Sequence, residues 1–129
     1  MTSKDPARPV FDASAVLALL QGETGADRLR KLQPQAVLNA VNAAEVLAKL
    51  VSRGMPQKEA KAALDALHLE ITPFEPAMAA ISANFVQKGV SLGDRCFLAA
   101  AQLHWTGWSS DHDLASLLGA NAPPLKFFR

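Results

Sequence analysis

Four acidic residues stand where a charged side chain is unexpected. Asp12 follows a short β-compatible Val-Phe pair, and Asp111 follows the strand-like stretch GWSS in the same way. Asp94 opens the apolar helical run of SLGDRCFLAAA, and Glu45 lies inside the apolar helical segment NAAEVLAKL. Moving a carboxylate out of water costs free energy. Each of these acids therefore either serves the local structure or faces something that needs a carboxylate.

Two interpretations of the four acids follow from their chemistry. Each one taken alone can be a solvated side chain or a helix-start charge favoured by the backbone dipoles. If all four converged with nothing between them, mutual repulsion would raise several of their pKa values. A divalent cation removes that repulsion, and clusters of oxygen ligands suit Mg²⁺ or Mn²⁺. From the residues themselves, two interpretations remain open: four acids with separate structural roles, or four acids that form a single metal site.

The elements that must position these acids alternate between strand-like and helical segments. The strand-like segments are ARPVFD, QAVLNA, LEITPF, TGWSSD and PPLKFFR, and segments rich in Ala, Leu, Glu and Lys lie between most of them. The alternation predicts an α/β domain with a parallel sheet covered by helices on both faces. Ligands of such sheets bind beyond the carboxyl ends of the strands, where Asp12 and Asp111 stand. Ser14 is predicted to cap the helix after the first strand.

Length and composition limit the classes of function. The 129 residues, 50% hydrophobic and 19% charged, predict one domain over residues 1–129 that begins with a polar leader at 1–8. The formal net charge of +1 argues against coating of nucleic acid through bulk charge. Cys96 is the only cysteine, which excludes an intramolecular disulfide and cysteine-based zinc clusters. Without a signal peptide or an apolar run of membrane-spanning length, the sequence predicts a cytoplasmic protein.

The histidines and tryptophans favour ordinary structural roles. His68, His104 and His112 are not at metal-ligand spacing from one another. Trp105 and Trp108 flank the fourth acidic segment, where base stacking is one use of an aromatic ring. Packing of a large apolar ring is the favoured interpretation of both.

Four segments in chain order carry a family resemblance: VFDASAVLALL, NAAEVLAKL, GVSLGDRCFLAAA and SSDHDLASL. They resemble the four acidic motifs of PIN-domain ribonucleases, and most closely those of the VapC-type toxins of bacterial toxin–antitoxin pairs. The resemblance extends from about Pro9 to Arg129. Each segment alone is weakly specific, whereas four in the family order with family-like spacing make a strong signal. The resemblance implies a PIN-like α/β/α sandwich, with a central, mainly parallel sheet flanked by helices.

The same resemblance implies roles for the four acids. Asp12, Glu45, Asp94 and Asp111 match the family's acidic positions, which are catalytic and metal-binding. Asp12 and Asp94 would hold a Mg²⁺ or Mn²⁺ ion, and Glu45 and Asp111 would complete the pocket directly or through water. Glu45 is our choice as acceptor of the attacking water's proton.

Three further polar residues are supporting candidates. Ser14 and Asn42 fall where the family often carries small polar residues, and we interpret both as residues that orient ligands or water. Helix capping is the alternative for each. The fourth motif departs from the family pattern, because Ser109 stands where threonine is usual. Asp113 is a rival to Asp111, ranked second because helix geometry would turn it away.

The function that the resemblance implies is a metal-dependent endoribonuclease, the toxin of a toxin–antitoxin pair. Arg95 is the first candidate for an RNA phosphate contact, with pairing to a nearby carboxylate as its alternative. A small cognate antitoxin and a second copy of the chain are the implied protein partners. Leu29 with Leu32, and Val46 with Leu50, form apolar helix faces that either contact such a partner or pack in the core of the domain. Two other functions stay open: a non-catalytic PIN-like module that binds RNA or protein, and a metal-dependent nuclease acting on another nucleic acid.

Overall fold

The structure, a computed structural model, describes residues 8–104 and 106–129. The polar leader predicted at 1–8 lies outside the described residues except for Arg8, and so do Trp105 and the side chain of His104. No helix of the described chain is long and apolar enough to cross a membrane.

Five parallel strands form a central sheet, and helices cover both of its faces. The strands are β1 (Pro9–Phe11), β2 (Val37–Asn39), β3 (Glu70–Thr72), β4 (Thr106–Ser109) and β5 (Leu125–Phe127). The helices are α1 (Ala13–Gln21), α2 (Ala26–Leu32), α3 (Ala40–Ser52), α4 (Gln57–Asp65), α5 (Pro76–Ser82), α6 (Leu92–His104) and α7 (Asp113–Leu118), with short 3-10 turns at Gln33–Gln35, Ala83–Phe85 and Gly119–Asn121. The strand order is β3-β2-β1-β4-β5, and every pairing is parallel. The α/β/α architecture predicted from the sequence is confirmed.

The order of the strands fixes where a site can form. The chain builds the sheet outward from β1 through β2 to β3, and then returns to the other side of β1 for β4 and β5. The carboxyl ends of β1 and β4 therefore flank a crevice at the point where the order reverses, which is the usual ligand site of such sheets. Asp12 follows β1, and Ser109 is the last residue of β4.

The core consists of two apolar clusters, one on each face of the sheet. Phe11 belongs to the cluster under α1 to α4, while its neighbour Val10 faces the cluster formed with α6 and α7. Burial of both faces explains why β1 and the first two residues of β2 are apolar without alternation. Leu29, Val46 and Leu50 are fully buried in the first cluster. Of the two roles considered for these leucines and valine, core packing is therefore the correct one.

One helix ends earlier than predicted. The segment AMAAISANFVQKG reads as a helix that continues to Gly89, but α5 ends at Ser82 and is followed by a 3-10 turn at Ala83–Phe85. The tighter turn ends with Phe85 buried in the cluster on the α6 face. Packing of this ring, rather than local helix preference, decides where the helix stops.

Candidate active site

The four acids predicted from the sequence line one pocket at the carboxyl edge of the sheet. Its lining residues are Asp12, Ala13, Ser14, Asn42, Glu45, Gly93, Asp94 and Asp111. Asp113, the rival fourth acid, is exposed and is not part of this lining. Its backbone N–H donates to Asp111 Oδ1 at 3.1 Å. The Asp111 carboxylate thus accepts a hydrogen bond at the start of α7, and Asp111 is the acid of this pair that lines the pocket.

Asp12 is both the first residue after β1 and the N-cap of α1. Its Oδ1 accepts from the backbone N–H of Ala15 at 2.9 Å and from the hydroxyl of Ser14 at 2.6 Å. The prediction that Ser14 caps this helix is wrong, since the helix begins at Ala13 and the cap lies one residue earlier. Asp12 is only 9% exposed. The pKa of Asp12 is raised from 3.8 to about 6, chiefly by burial and to a smaller extent by the nearby Asp94. Hydrogen bonds from Ser109, Ser14 and Ala15 act in the opposite direction and lower this pKa.

Two hydroxyl groups connect Asp12 to the loop that follows β4. The Ser14 hydroxyl donates to Asp12 and accepts from the backbone N–H of Ser110 at 3.2 Å. The buried Ser109 hydroxyl also bonds to Asp12, and it accepts from the backbone N–H of Asp111 at 2.9 Å. Ser14 therefore donates a hydrogen bond to an acid of the pocket. Ser109 forms hydrogen bonds with two acids of the pocket, Asp12 and Asp111. The presence of serine where the family usually has threonine did not by itself predict these bonds.

Glu45 is presented to the pocket by α3, whose start is fixed by asparagines. Asn39 caps the helix, with its Oδ1 accepting from the backbone N–H groups of Val41 and Asn42 at 2.9 and 3.1 Å. The Asn42 side-chain amide donates to Glu45 Oε1 at 2.6 Å. The apolar neighbours of Glu45 in the sequence suggested a buried carboxylate. Glu45 is instead exposed, because α3 buries only one of its faces. Asn39 was not predicted as a site residue, and its only sequence signal is the preference of asparagine for helix N-caps.

Asp94 both stabilises the start of α6 and lines the pocket. Its Oδ2 accepts from the backbone N–H of Ser91 at 3.0 Å, and its own N–H donates to the Ser91 hydroxyl at 3.1 Å. This is a capping box with aspartate in place of the usual glutamate. The same carboxylate lines the pocket. The charge at the start of α6 is thus fixed by the cap in a position that faces the other acids.

Arg95 is not among the residues that line the pocket. Its Nη1 donates to the backbone carbonyl of Val90 at 3.3 Å, and within the described chain it forms no ion pair. The alternative that Arg95 pairs with a nearby carboxylate is therefore wrong. Its assignment as an RNA contact stays a prediction.

The aromatic residues near the fourth motif take structural roles where the chain is described. Trp108 is 8% exposed and packs in the core, with the Arg28 guanidinium 5.2 Å from its ring centroid. His112 is exposed and stacks on the ring of Phe127 at 4.3 Å. Packing rather than base stacking is the role of Trp108.

The chemistry of the pocket fits a hard divalent cation. Its acidic ligands are all carboxylate oxygens, the ligand type of Mg²⁺ and Mn²⁺. As they stand, no three acidic, histidine or cysteine side chains among residues 8–104 and 106–129 are close enough to hold one ion together. Mg²⁺ is commonly bound through one or two carboxylates while it keeps several waters. Asp12 and Asp94, whose charges interact, fit that arrangement, with Glu45 and Asp111 within the same pocket.

Comparison with known proteins assigns the family. The PIN domain model matches residues 10–113. The chain belongs to the PIN-domain family. This membership places the chain among nucleases. No match was found among curated protein sequences.

Several solved structures share the fold of this chain. DNA-bound VapBC from Salmonella typhimurium is similar with a TM-score of 0.76 and 10% identity, over 95% of this chain and 99% of that chain. A toxin–antitoxin complex from Klebsiella pneumoniae has a TM-score of 0.71 and 19% identity, over 94% and 98%. VapC20 from Mycobacterium tuberculosis, described as a sarcin-ricin loop cleaving toxin, has a TM-score of 0.68 and 16% identity, over 90% and 99%. At these identities the likeness is one of fold.

Proposed function

We propose that this PIN domain is a metal-dependent endoribonuclease and the toxin of a toxin–antitoxin pair. The observation that carries the proposal is the convergence of Asp12, Glu45, Asp94 and Asp111 on one pocket at the carboxyl edge of the sheet. A binding module would have no need to gather four carboxylates, since each one repels the phosphates of a nucleic acid. A carboxylate pocket becomes useful to a nuclease once a cation joins it.

Asp12 and Asp94 are the residues that would hold Mg²⁺ or Mn²⁺. The bound ion supplies an activated water and stabilises charge on the phosphate. Within the chain, the hydroxyl groups of Ser14 and Ser109 favour the ionised form of Asp12 by donating hydrogen bonds to it. Asp111 takes its place in the pocket through the bond from its backbone N–H to Ser109.

Glu45 is the residue that would accept the proton of the attacking water. A general base must lie within hydrogen-bond reach of that water, directly or through one further water. Glu45 meets this need because its carboxylate is fixed by Asn42 on one side and open to solvent on the other. Asn42 is the residue that would orient Glu45 for this role.

RNA is the proposed substrate, and Arg95 its proposed phosphate contact. The similar VapC20 is described as a toxin that cleaves the sarcin-ricin loop, which favours RNA over DNA for this chain. Arg95 follows Asp94 directly in the first turn of α6. One nitrogen of its guanidinium group, Nη1, donates to a backbone carbonyl. The other N–H groups of the guanidinium are donors that a phosphate could accept from.

The proposed protein partners are a small cognate antitoxin and a second copy of the chain. The antitoxin is supported by the similar proteins from Salmonella typhimurium and Klebsiella pneumoniae, which were solved as VapBC and as a toxin–antitoxin complex. The homodimer rests on the family resemblance. The cytoplasm, where RNA and an antitoxin are both available, is the proposed location.

Growth arrest on induced expression tests the proposed function. Asp94→Asn keeps an oxygen that can accept from Ser91, so the start of α6 is preserved while the charge is removed. Wild type should arrest growth, and Asp94→Asn, at an equal level of soluble protein, should not. Arrest by both proteins would show toxicity by binding rather than by cleavage. Arrest by neither would refute the role as a toxin.

A further inference from the structure

Gly93 stands where the Glu45 carboxylate needs space. Its backbone is not among those with positive φ, so its conformation is open to other residues. A Cβ built at this position would lie 2.5 Å from Glu45 Oε1 and closer still to Oε2 and Cδ. Real Cβ atoms essentially never approach another atom so closely. The carboxylate of Glu45 thus occupies the volume that a side chain at residue 93 would fill.

Two buried asparagines hold Glu45 in this space. Asn42 is 1% exposed, and its Nδ2 donates both to Glu45 Oε1 at 2.6 Å and to the backbone carbonyl of Gly93 at 3.1 Å. Asn39 is fully buried, and its Nδ2 donates to the Asn42 Oδ1. Because both donors and the acceptor of Asn42 are engaged, this amide has one orientation. It joins the pocket side of α3 to the first turn of α6.

We propose that Gly93 is a positioning residue, which admits the Glu45 carboxylate to the first turn of α6, where the Asn39–Asn42 pair fixes it. The proposal rests on the proposed function for the role of Glu45, but the geometry it describes involves only the contacts of Glu45 with Gly93 and Asn42. Glycine is required here for space rather than for backbone conformation. A single methyl group at residue 93 should displace the carboxylate from the pocket.

The expected response of the protein to Gly93→Ala follows from the exposure of Glu45. The long side chain of Glu45 can swing into solvent, so the fold survives while the bond to Asn42 is lost. Alanine also favours the helix more than glycine does. In a Glu45→Ala background the three atoms nearest to the added methyl group are gone, and Gly93→Ala should stabilise α6. The effect of the methyl group therefore depends on whether residue 45 carries its carboxylate.

Thermal unfolding of four proteins in EDTA tests this dependence. Wild type, Gly93→Ala, Glu45→Ala and the double variant form a double-mutant cycle. Gly93→Ala should raise Tm by about 3 °C in the Glu45→Ala background, from the helix preference of alanine. In the wild-type background the gain should be absent or reversed. Equal gains in both backgrounds would overturn the proposal.

The Asn42 side-chain amide gives a local readout of the same geometry. Its two proton signals in an ¹⁵N-correlated NMR spectrum report the bond to Glu45. Gly93→Ala and Glu45→Ala should move these signals in the same direction, and Leu92→Ala, a neighbouring change at a side chain 61% exposed, should leave them in place. Asn42 signals unchanged by Gly93→Ala would overturn the proposal, because the carboxylate would then still be in position.

RNA cleavage completes the cycle and separates this proposal from the proposed function. Gly93→Ala should lose cleavage by the same factor as Glu45→Ala, at least about 100-fold for loss of a general base, and should add no further loss to the Glu45→Ala variant. Independent, multiplying losses would contradict a shared cause. If wild type cuts no RNA, the proposed function fails, and the Tm cycle and the NMR signals still decide whether Gly93 positions Glu45.

Discussion

The buried charge of Asp12 should oppose folding at neutral pH when no cation is bound. The pKa of Asp12 is raised from 3.8 to about 6, chiefly by burial. Between these two values the folded state binds more protons than the unfolded state, so the free energy of unfolding falls as the pH rises. At about 1.4 kcal/mol per pH unit, the full effect above pH 6 is about 3 kcal/mol.

Asp12→Asn removes this charge and keeps the helix cap. The asparagine oxygen can still accept from the Ala15 N–H and the Ser14 hydroxyl. In EDTA at pH 8 the variant should be more stable than wild type by about 3 kcal/mol, or about 10 °C in Tm. The gain should shrink towards zero as the pH falls below 3.8, where Asp12 becomes protonated in both the folded and the unfolded state.

Urea unfolding across this pH range measures the effect, and added Mn²⁺ should reverse it. An ion at 100 times its Kd stabilises the protein that binds it by about 2.7 kcal/mol, a gain that Asp12→Asn should lack. Asp113→Asn is the matched control, since Asp113 is exposed and should show neither effect. A stability difference between Asp12→Asn and wild type that does not vary with pH would refute the reasoning.

Three further substitutions test separate parts of the site. Asp94→Ala should lose both cleavage and about 1 kcal/mol of stability measured in urea, because it removes the bond from the Ser91 N–H to the Asp94 carboxylate, one of the two bonds of the capping box. Asp94→Asn should lose cleavage alone, and equal stability of the two would contradict the capping role. Arg95→Gln should lower the slope of log K against log salt for RNA binding by about 0.7, and Lys58→Gln on α4, at the far edge of the sheet, should leave the slope unchanged. Ser109→Ala removes a hydrogen bond that lowers the pKa of Asp12, so the acidic limb of the pH–rate profile should move to higher pH; an unmoved limb would show that this bond does not govern the site.

The fold and the members of the acidic pocket could be predicted because local sequence features determine them. Alternating strand and helix segments gave the parallel sheet, and a parallel sheet brings the ends of its strands to one edge. Asp12 and Asp111 could therefore be placed near each other without knowledge of side-chain contacts. The ranking of Asp111 above Asp113 combined the family resemblance with helix geometry, and Asp111 but not Asp113 lines the pocket.

The residues that support the acids could not be predicted in the same way. Gly93 meets Glu45 only through the packing of α6 against α3, and nothing in the local sequence records that a glutamate fills its side-chain space. The cap of α1 was misplaced by two residues, because Asp12 and Ser14 are both good capping residues. The exposure of Glu45 likewise depends on which face of α3 the rest of the chain covers.

Cleavage of one RNA by the purified chain tests the central claim most directly. An end-labelled RNA and a DNA of the same sequence are incubated with wild type or Asp94→Asn, in Mn²⁺ or in EDTA. We expect wild type to cut the RNA in Mn²⁺ only, and Asp94→Asn to leave it intact. Cleavage that persists in EDTA or in the variant would contradict carboxylate–metal chemistry. Cleavage of DNA alone would show that the nuclease acts on another nucleic acid. No cleavage by wild type would leave a PIN domain that binds without cutting.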